Sequence, residues 1–395
     1  MNFIFISPNF PDNYYLFCKG LKENGVKVLG IGDKPYYELK QELKDSLDEY
    51  YYVNSLESYD EKYRAVAYFA FKYGRIDFIE SNNEYWLESD AKLRTDFNVN
   101  SGPKIDDIPF FKSKRMMKEY YKKAGIVTAR YHMVNDLKDC EEFIKLVGYP
   151  VVVKPDNGVG AAATYKLKSD EDLVSFYNSY DKNIEYIMEE FIPGDLISFD
   201  GVCDSLGNVV YPTHHIFPTP VMDIVNDLDD SFYYTEINIP SKVYDAGQKV
   251  LKAFGAKSRF YHLEFFILNK DKEGLGKVGD IIGLEVNMRV PGGFTPDMIN
   301  YGHSINIYKI WADTIVYDKL LWRDFAARKY CAYYGRRHNK QYLNSHSDVM
   351  NKFKFNLKMT REMPKALSTA MGDYFYIATF DTFEELMIFR NFMGE

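Results

Sequence analysis

The period of apolar and polar positions changes several times along the chain, and each change marks an element. Asn2–Ser7 is a short run of strand formers closed by Pro8, and a helical period over Tyr14–Glu23 follows until Asn24-Gly25 interrupts it. Val26–Ile31 returns to a strand pattern, Tyr59–Lys72 to a helical one and Ile76–Ile79 to a strand. This β-α-β rhythm predicts an open parallel sheet in a first α/β domain over residues 1–105. Sheets of that kind bind ligands beyond their C-terminal edge, which here would present Ser7, Asn9 and Asp12.

Downstream, Lys112–Ala124 reads as a helix stopped by Gly125, and Leu137–Leu146 as a second before Gly148. A strand at Pro150–Lys154, the loop PDNGVGAAA and a strand at Thr164–Leu167 form a hairpin, and Ser169–Asp172 opens a helix with a capping signature. Strands are predicted at Glu185–Phe191, Ile197–Val202, Asn208–His214, Arg259–Leu268 and Ile281–Val290, with helices at Ser241–Phe254 and Ile305–Asp318. Past Trp322 the texture becomes polar before a last strand and helix, so residues 321–395 are expected to form a smaller C-terminal subdomain.

Composition narrows the function. With 395 residues, 46% hydrophobic and 27% charged, the chain can bury substantial cores and is not a disordered tract. A net charge of −8 argues against a nucleic-acid backbone as partner, while leaving room for local basic groups around a small phosphate ligand. Cys18, Cys140, Cys203 and Cys331 form no CxxC pair, which argues against zinc and a disulfide framework and for a reducing compartment. The N-terminus lacks a basic n-region and no run approaches the length of a membrane span, so a cytoplasmic protein is expected.

The segment IIGLEVNMRVP carries Glu285, Asn287 and Arg289 at every second position, on one face of the predicted strand, with Leu284, Val286 and Met288 on the other. A carboxylate, a carboxamide and a guanidinium in a row suit a hard cation together with a phosphate, although an ordinary half-exposed strand has the same alternation. Glu264 lies inside an aromatic-rich strand, where an unpartnered carboxylate costs several kcal/mol by rough estimate. Antiparallel pairing would bring it to Glu285 around one ion, with His262 behind it on the same face. Lys154 ends an apolar strand and reads either as a phosphate contact or as a snorkelling lysine. Gly158–Ala163 matches G-x-G-x-x-A, but the strand after it excludes a dinucleotide fingerprint; its backbone could instead lie over phosphates. In MEEFIPGD, Glu189 could accept from an adenine amine. His214 and His215, between Pro212 and Pro218, are expected in a loop, either lining a substrate pocket or, the reading preferred here, at the surface, and the Pro212–Asn226 loop is expected to shape that pocket.

The succession KRMMKEYYKKAGI, GYPVVVKP, the small-residue hairpin, EEFIPG, the Glu264 strand and EVNMR resembles the ATP-grasp superfamily, in particular its carboxylate–amine ligases, over about residues 1–320. Each piece is weak alone, but their shared order is specific. The resemblance implies an N-terminal open parallel α/β domain, an ATP-grasp domain at 106–320 with a hairpin-bearing lid at about 127–192, and ATP with Mg²⁺ (or Mn²⁺) as cofactors. It places Lys114 and Lys154 on the α- and β-phosphates, and the hairpin with Gly158, Gly160 and Ala161 over the γ-phosphate. Glu189, with backbone at Glu190 and Ile192, would meet adenine, and Asp195 stands beside the family's ribose position, which here is Leu196. Glu264, Glu285 and Asn287 would bind metal, and Arg289 the transferring phosphoryl group. The implied reaction activates a carboxylate as an acyl phosphate for attack by an amine, releasing ADP and phosphate. Its partners would be small carboxylates and amines such as amino acids, with a homodimer compatible and no nucleic acid or membrane. A phosphotransferase, or a nucleotide-binding protein without catalysis, is the alternative on the same fold.

Overall fold

The computed structural model describes residues 1–158, 163–219, 224 and 228–395. Its first strands are β1 (Asn2–Ile6), β2 (Lys27–Gly32), β3 (Glu49–Tyr52), β4 (Phe78–Glu80), β5 (Val127–Thr128), β6 (Tyr131–Met133), β7 (Val151–Pro155), β8 (Tyr165–Leu167) and β9 (Tyr186–Glu190). There follow β10 (Gly194–Cys203), β11 (Val209–Phe217), β12 (Ser231–Thr235), β13 (Arg259–Leu268), β14 (Ile281–Asn287), β15 (Tyr330–Arg336), β16 (Leu357–Glu362) and β17 (Tyr374–Phe380).

The first domain is a parallel sheet of order β3-β2-β1-β4. Its middle strands are apolar on both faces, as a covered parallel sheet requires. Phe3 and Phe5 pack on the side of helix Tyr15–Glu23, and Ile4 and Ile6 on the side of helix Tyr59–Tyr73. At the C-terminal edge, Ser7 after β1 and Asn82 after β4 are buried non-glycine residues with φ of 56° and 54°. Both occupy a sparsely populated backbone region, and both sit at the edge that such sheets use for ligands.

The predicted hairpin exists: β7 and β8 are antiparallel and belong to a four-stranded sheet of order β6-β9-β7-β8. The largest sheet has nine strands in the order β16-β17-β15-β12-β11-β10-β13-β14-β5. Residues 321–395 supply β15, β16 and β17 to this sheet and so continue the layer built by the preceding segment. Its alternation is clear across β10, β13 and β14. Ile197, Phe199, Leu263, Phe265 and Val286 pack in one core with Met117 and Tyr121 of helix Lys114–Lys123 and with helix Ser241–Phe254. Polar side chains occupy the other face in two rows, Ser198–Glu264–Glu285 and Asp200–His262–Asn287, each made of direct cross-strand partners.

Three local expectations change. The helix predicted over Lys112–Ala124 divides into Ile108–Lys112 and Lys114–Lys123, because Ser113 turns to cap the second piece, its Oγ accepting from the Met116 N–H at 3.2 Å. The strand expected to run to Val290 ends at Asn287, so Arg289 lies in a bend beyond it. His214 and His215 lie inside β11, not in a surface loop, and are 1% and 0% exposed. Their burial follows from partners on the adjacent strand, since His215 meets Asp200 and His214 the carbonyl of Ser198. Positions 220–223, 225 and 226 of the segment expected to shape a pocket lie outside the described residues. No described helix is long and apolar enough to cross a membrane.

Candidate active site

Glu264 and Glu285 are direct antiparallel partners on β13 and β14, beside a bulge between Glu264 and Phe265. The Tyr121 hydroxyl reaches both of their backbone oxygens, at 3.3 Å from Glu264 and 3.0 Å from Glu285. The ring can reach them because Gly283 has no side chain there; a Cβ would lie 2.5 Å from Tyr121 Cδ1. Burial, with Glu264 and Glu84 nearby, raises the Glu285 carboxyl pKa against the pull of Lys114. Burial also raises Glu264, but His262 and Arg289 outweigh it and leave that carboxyl lowered. Two carboxylates so close on a shielded face repel each other, and a cation would relieve both.

The donor set fits a magnesium ion. Glu264 and Glu285 supply hard oxygens, with the Asn287 carboxamide one row further on β14. Among the described residues no group of three His, Cys, Asp or Glu side chains encloses a metal position. An ion here would therefore complete its shell with phosphate and water oxygens, which is the habit of Mg²⁺ rather than of zinc.

Next to this pair stands a buried cationic cluster. Lys118 and Lys154 both hold Glu189, at 2.6 and 2.7 Å, on its two different oxygens. Burial pushes the Glu189 carboxyl up, but the two ammonium groups outweigh it and bring its pKa from 4.5 to about 2. Lys154 is held above its ordinary value by Glu189, Glu285 and Glu264 in spite of burial, whereas burial dominates at Lys118 and lowers it. Two ammoniums share one carboxylate, so the cluster keeps an excess positive charge beside the glutamate pair. Lys114 opens the same helix, is buried, and has no ion-pair partner among the described residues. Lys118 was not foreseen, yet the signal was present: Lys114 and Lys118 are four residues apart and share a helix face.

Two groups expected at adenine already have partners in this structure. Each oxygen of Glu189 is paired with a lysine ammonium. The Glu190 N–H already donates to the Arg130 carbonyl at 3.0 Å. The Glu190 carboxylate is gripped by the Arg130 guanidinium and by Lys272, which makes it a brace between the four-stranded sheet and the β13–β14 turn. Ile192 is buried against Ala129, Leu268 and Ile282, and Asp195 is exposed with Asn269 donating to it at 3.3 Å. Leu196 is buried. Gly158 ends the described part of the hairpin tip, and Gly160 and Ala161 lie outside the described residues.

Arg289 departs from the expected row. Its Nε and Nη2 donate to Glu84, at 3.1 Å for Nε, and its Nη1 to the Val290 carbonyl at 3.0 Å. Glu84 follows β4 at the C-terminal edge of the first sheet, so the arginine ties that edge to the segment after β14. The loop after β1 is tied across the molecule as well: Asp12 is paired with Arg361 at 2.7 Å, and Asn13 donates to Asp297 at 2.8 Å.

No family model matches the chain. It is 24% identical over 257 residues to the L-arginine-specific L-amino acid ligase of Bacillus subtilis, an alignment covering 62% of this chain and 59% of that protein. The chain thus spans less than two thirds of the curated relative's length. In three dimensions it matches an L-amino acid ligase from Bacillus licheniformis with a TM-score of 0.71, 15% identity and coverage of 99% of this chain and 96% of that one. The chain has the ATP-grasp fold. The N5-carboxyaminoimidazole synthetase from Staphylococcus aureus complexed with ADP shares the ATP-grasp fold at a TM-score of 0.68 and 13% identity, over 100% of this chain and 97% of that one. Within this fold Lys154 lies on β7 of the four-stranded sheet and Glu264 on β13 of the nine-stranded sheet, the positions at which the sequence anticipated nucleotide and metal.

Proposed function

We propose that the chain is an ATP- and Mg²⁺-dependent ligase that joins a small carboxylate to an amine, with ADP and phosphate as products. The observation that carries this reading is the juxtaposition of the Glu264–Glu285 pair with the Lys118–Glu189–Lys154 cluster. The similarity to amino acid ligases supports amino acids as the substrate class.

In this reading a substrate carboxylate oxygen attacks the γ-phosphorus of ATP while the bond to the ADP oxygen breaks. The amine nitrogen then attacks the acyl carbon, a C–N bond forms as the bond to the phosphate oxygen breaks, and phosphate and a proton leave. Bound Mg²⁺ offsets charge on the phosphates during transfer. Glu264, Glu285 and Asn287 would hold that ion. Lys114 and Lys154 would offset the phosphate charge from the other side, with Glu189 setting the balance and position of Lys154. Arg289, fixed by Glu84, would present its guanidinium edge where the two domains meet. The β7–β8 hairpin would exclude water from the acyl phosphate, which hydrolysis otherwise wastes.

Cytoplasmic residence and a homodimer belong to the same proposal; the four cysteines are free and buried, in keeping with a reducing compartment, and light scattering tests association. The deciding experiment for the activity is a screen of amino acid pairs for substrate-dependent nucleotide turnover, with the nucleotide product identified. ADP and phosphate with a dipeptide-like product are expected. AMP and pyrophosphate would overturn the acyl-phosphate route, and ATP turnover giving a stable phosphorylated product without an amine would favour a phosphotransferase.

A further inference from the structure

The cleft face of the central sheet stays polar further than the glutamate pair requires. On β10, one strand beyond Glu264, Ser198 and Asp200 are fully buried. The Asp200 carboxylate accepts from three side chains: Ser198 Oγ, His262 Nδ1, and His215 Nδ1 at 2.6 Å. The strand register explains the gathering, because Asp200 is the direct partner of His262 on β13 while Ser198 faces His215 on β11 and Glu264 on β13. The second nitrogen of His262, Nε2, stands 3.5 Å from Glu264 Oε1. Nδ1 is thus the nitrogen hydrogen-bonded to Asp200, and Nε2 the one that faces Glu264 at ion-pair distance.

A buried carboxylate inside a sheet is costly, and apolar residues of similar volume would satisfy packing alone. The group instead forms one chain, Asp200–His262–Glu264, that ends at the glutamate pair. Along it the ring of His262 is clamped at Nδ1, and Nε2 in turn engages a single oxygen of Glu264. The other oxygen, Oε2, has no hydrogen bond among the described residues.

We propose that Asp200 is a positioning residue for the cation site: through His262 it fixes the rotation of the Glu264 carboxylate, committing Oε1 and leaving Oε2 for the ion. The inference rests on the reading of Glu264 and Glu285 as cation ligands. Groups that orient a metal ligand commonly change metal affinity 10–100-fold when removed.

The test uses the full chain, with Mn²⁺ and ADP as probes and Mn²⁺ electron paramagnetic resonance as the readout, so that it does not depend on turnover. Wild-type protein is expected to bind Mn²⁺ in the presence of ADP, and Glu264→Gln to abolish that binding. Asp200→Asn is expected to weaken Mn²⁺ about tenfold while metal-free ADP affinity stays within about twofold. His262→Leu should cause the same loss, and the double variant should be no worse than either single one, because all three cut one chain. Losses that multiply in the double variant, or Mn²⁺ affinity within about twofold of wild type in a folded single variant, overturn the proposal. Should Asp200→Asn fail to fold, His262→Leu decides alone, since His262 borders the cleft at 8% exposure. Wild-type protein that binds ADP but no Mn²⁺ would instead overturn the underlying cation-site reading, a result distinct from an effect of the variants.

Discussion

Glu264 and Glu285 face each other across antiparallel strands, and the hydroxyl of Tyr121 reaches the backbone oxygens of both. The strands thus fix the spacing of two carboxylates before any ligand arrives. Glu285→Gln keeps the shape and removes one charge. It is expected to reduce Mg²⁺-dependent ATP turnover by at least about a hundredfold, the scale on which losing a charge-stabilising group acts. Coupled ADP-release measurements across a Mg²⁺ series check this; a rate within a few-fold of wild type would remove Glu285 from the metal site.

The Glu189 carboxylate holds two buried ammoniums, so neutralising it leaves charge without a partner. Glu189→Gln should destabilise the protein by about 3–5 kcal/mol, the cost typical of breaking a buried ion pair from one side. Urea denaturation monitored by fluorescence measures it. Loss of turnover with unchanged stability would instead mean that Glu189 acts on the nucleotide directly.

The same carboxylate predicts a pH dependence. Its folded pKa lies near 2 against an ordinary 4.5, so its contribution is full above about pH 4.5 and is lost as pH falls toward 2. The wild-type protein should lose on the order of 3 kcal/mol through this group across that window. Glu189→Gln should show a shallower decline in urea midpoint over the same range, and parallel curves would count against the pairing.

Much of this site was legible in the sequence because strand alternation is a local signal. Glu264, Glu285 and Asn287 stand on one face because period-2 patterning requires it, and a simple antiparallel pairing brought the first two together. Only the position of Arg289 on the strand was misjudged, because the strand ends two residues earlier, and where a strand ends depends on what packs against it. The lysine partners of Glu189 were not legible because they come from a helix and a neighbouring strand. Only the assembled fold shows that both of its oxygens are taken. Asp200 was not singled out and His215 was read as a loop residue, because their meaning lies in the register between β10 and β11.

Glu84 holds Arg289 across the domain boundary through two of its nitrogens. If Arg289 meets the group being transferred, Glu84→Gln should loosen its aim without removing its charge. The kcat is expected to fall about tenfold, in line with a lost charged hydrogen bond at the group in flight, while the KM for ATP stays within about twofold. Equal changes in both constants would point to a general loosening of the domain junction. Arg289→Lys should do more damage, because a lysine cannot reproduce the forked contact.

Gly283 offers a way to disturb the glutamate pair from behind. A Cβ at this position would lie 2.5 Å from Tyr121 Cδ1 and Cε1, and no flexible side-chain end is there to move aside. The Tyr121 ring is fully buried in the core beneath the central sheet, so it can yield only by shifting that core or the strand. Gly283→Ala should therefore destabilise the protein by about 1–3 kcal/mol, as overpacking does. It should also raise the Mg²⁺ concentration needed for half-maximal turnover, because the Tyr121 hydroxyl that would move is bonded to the backbone of both glutamates. Tyr121→Phe separates the two effects. It removes the hydroxyl without crowding the ring, so it should cost about 1 kcal/mol and shift the Mg²⁺ requirement less than Gly283→Ala. If Gly283→Ala lowers stability while the Mg²⁺ requirement stays at the wild-type value, the spacing of the glutamates is set by strand pairing alone, and Tyr121 is a core residue whose hydroxyl merely satisfies two carbonyls.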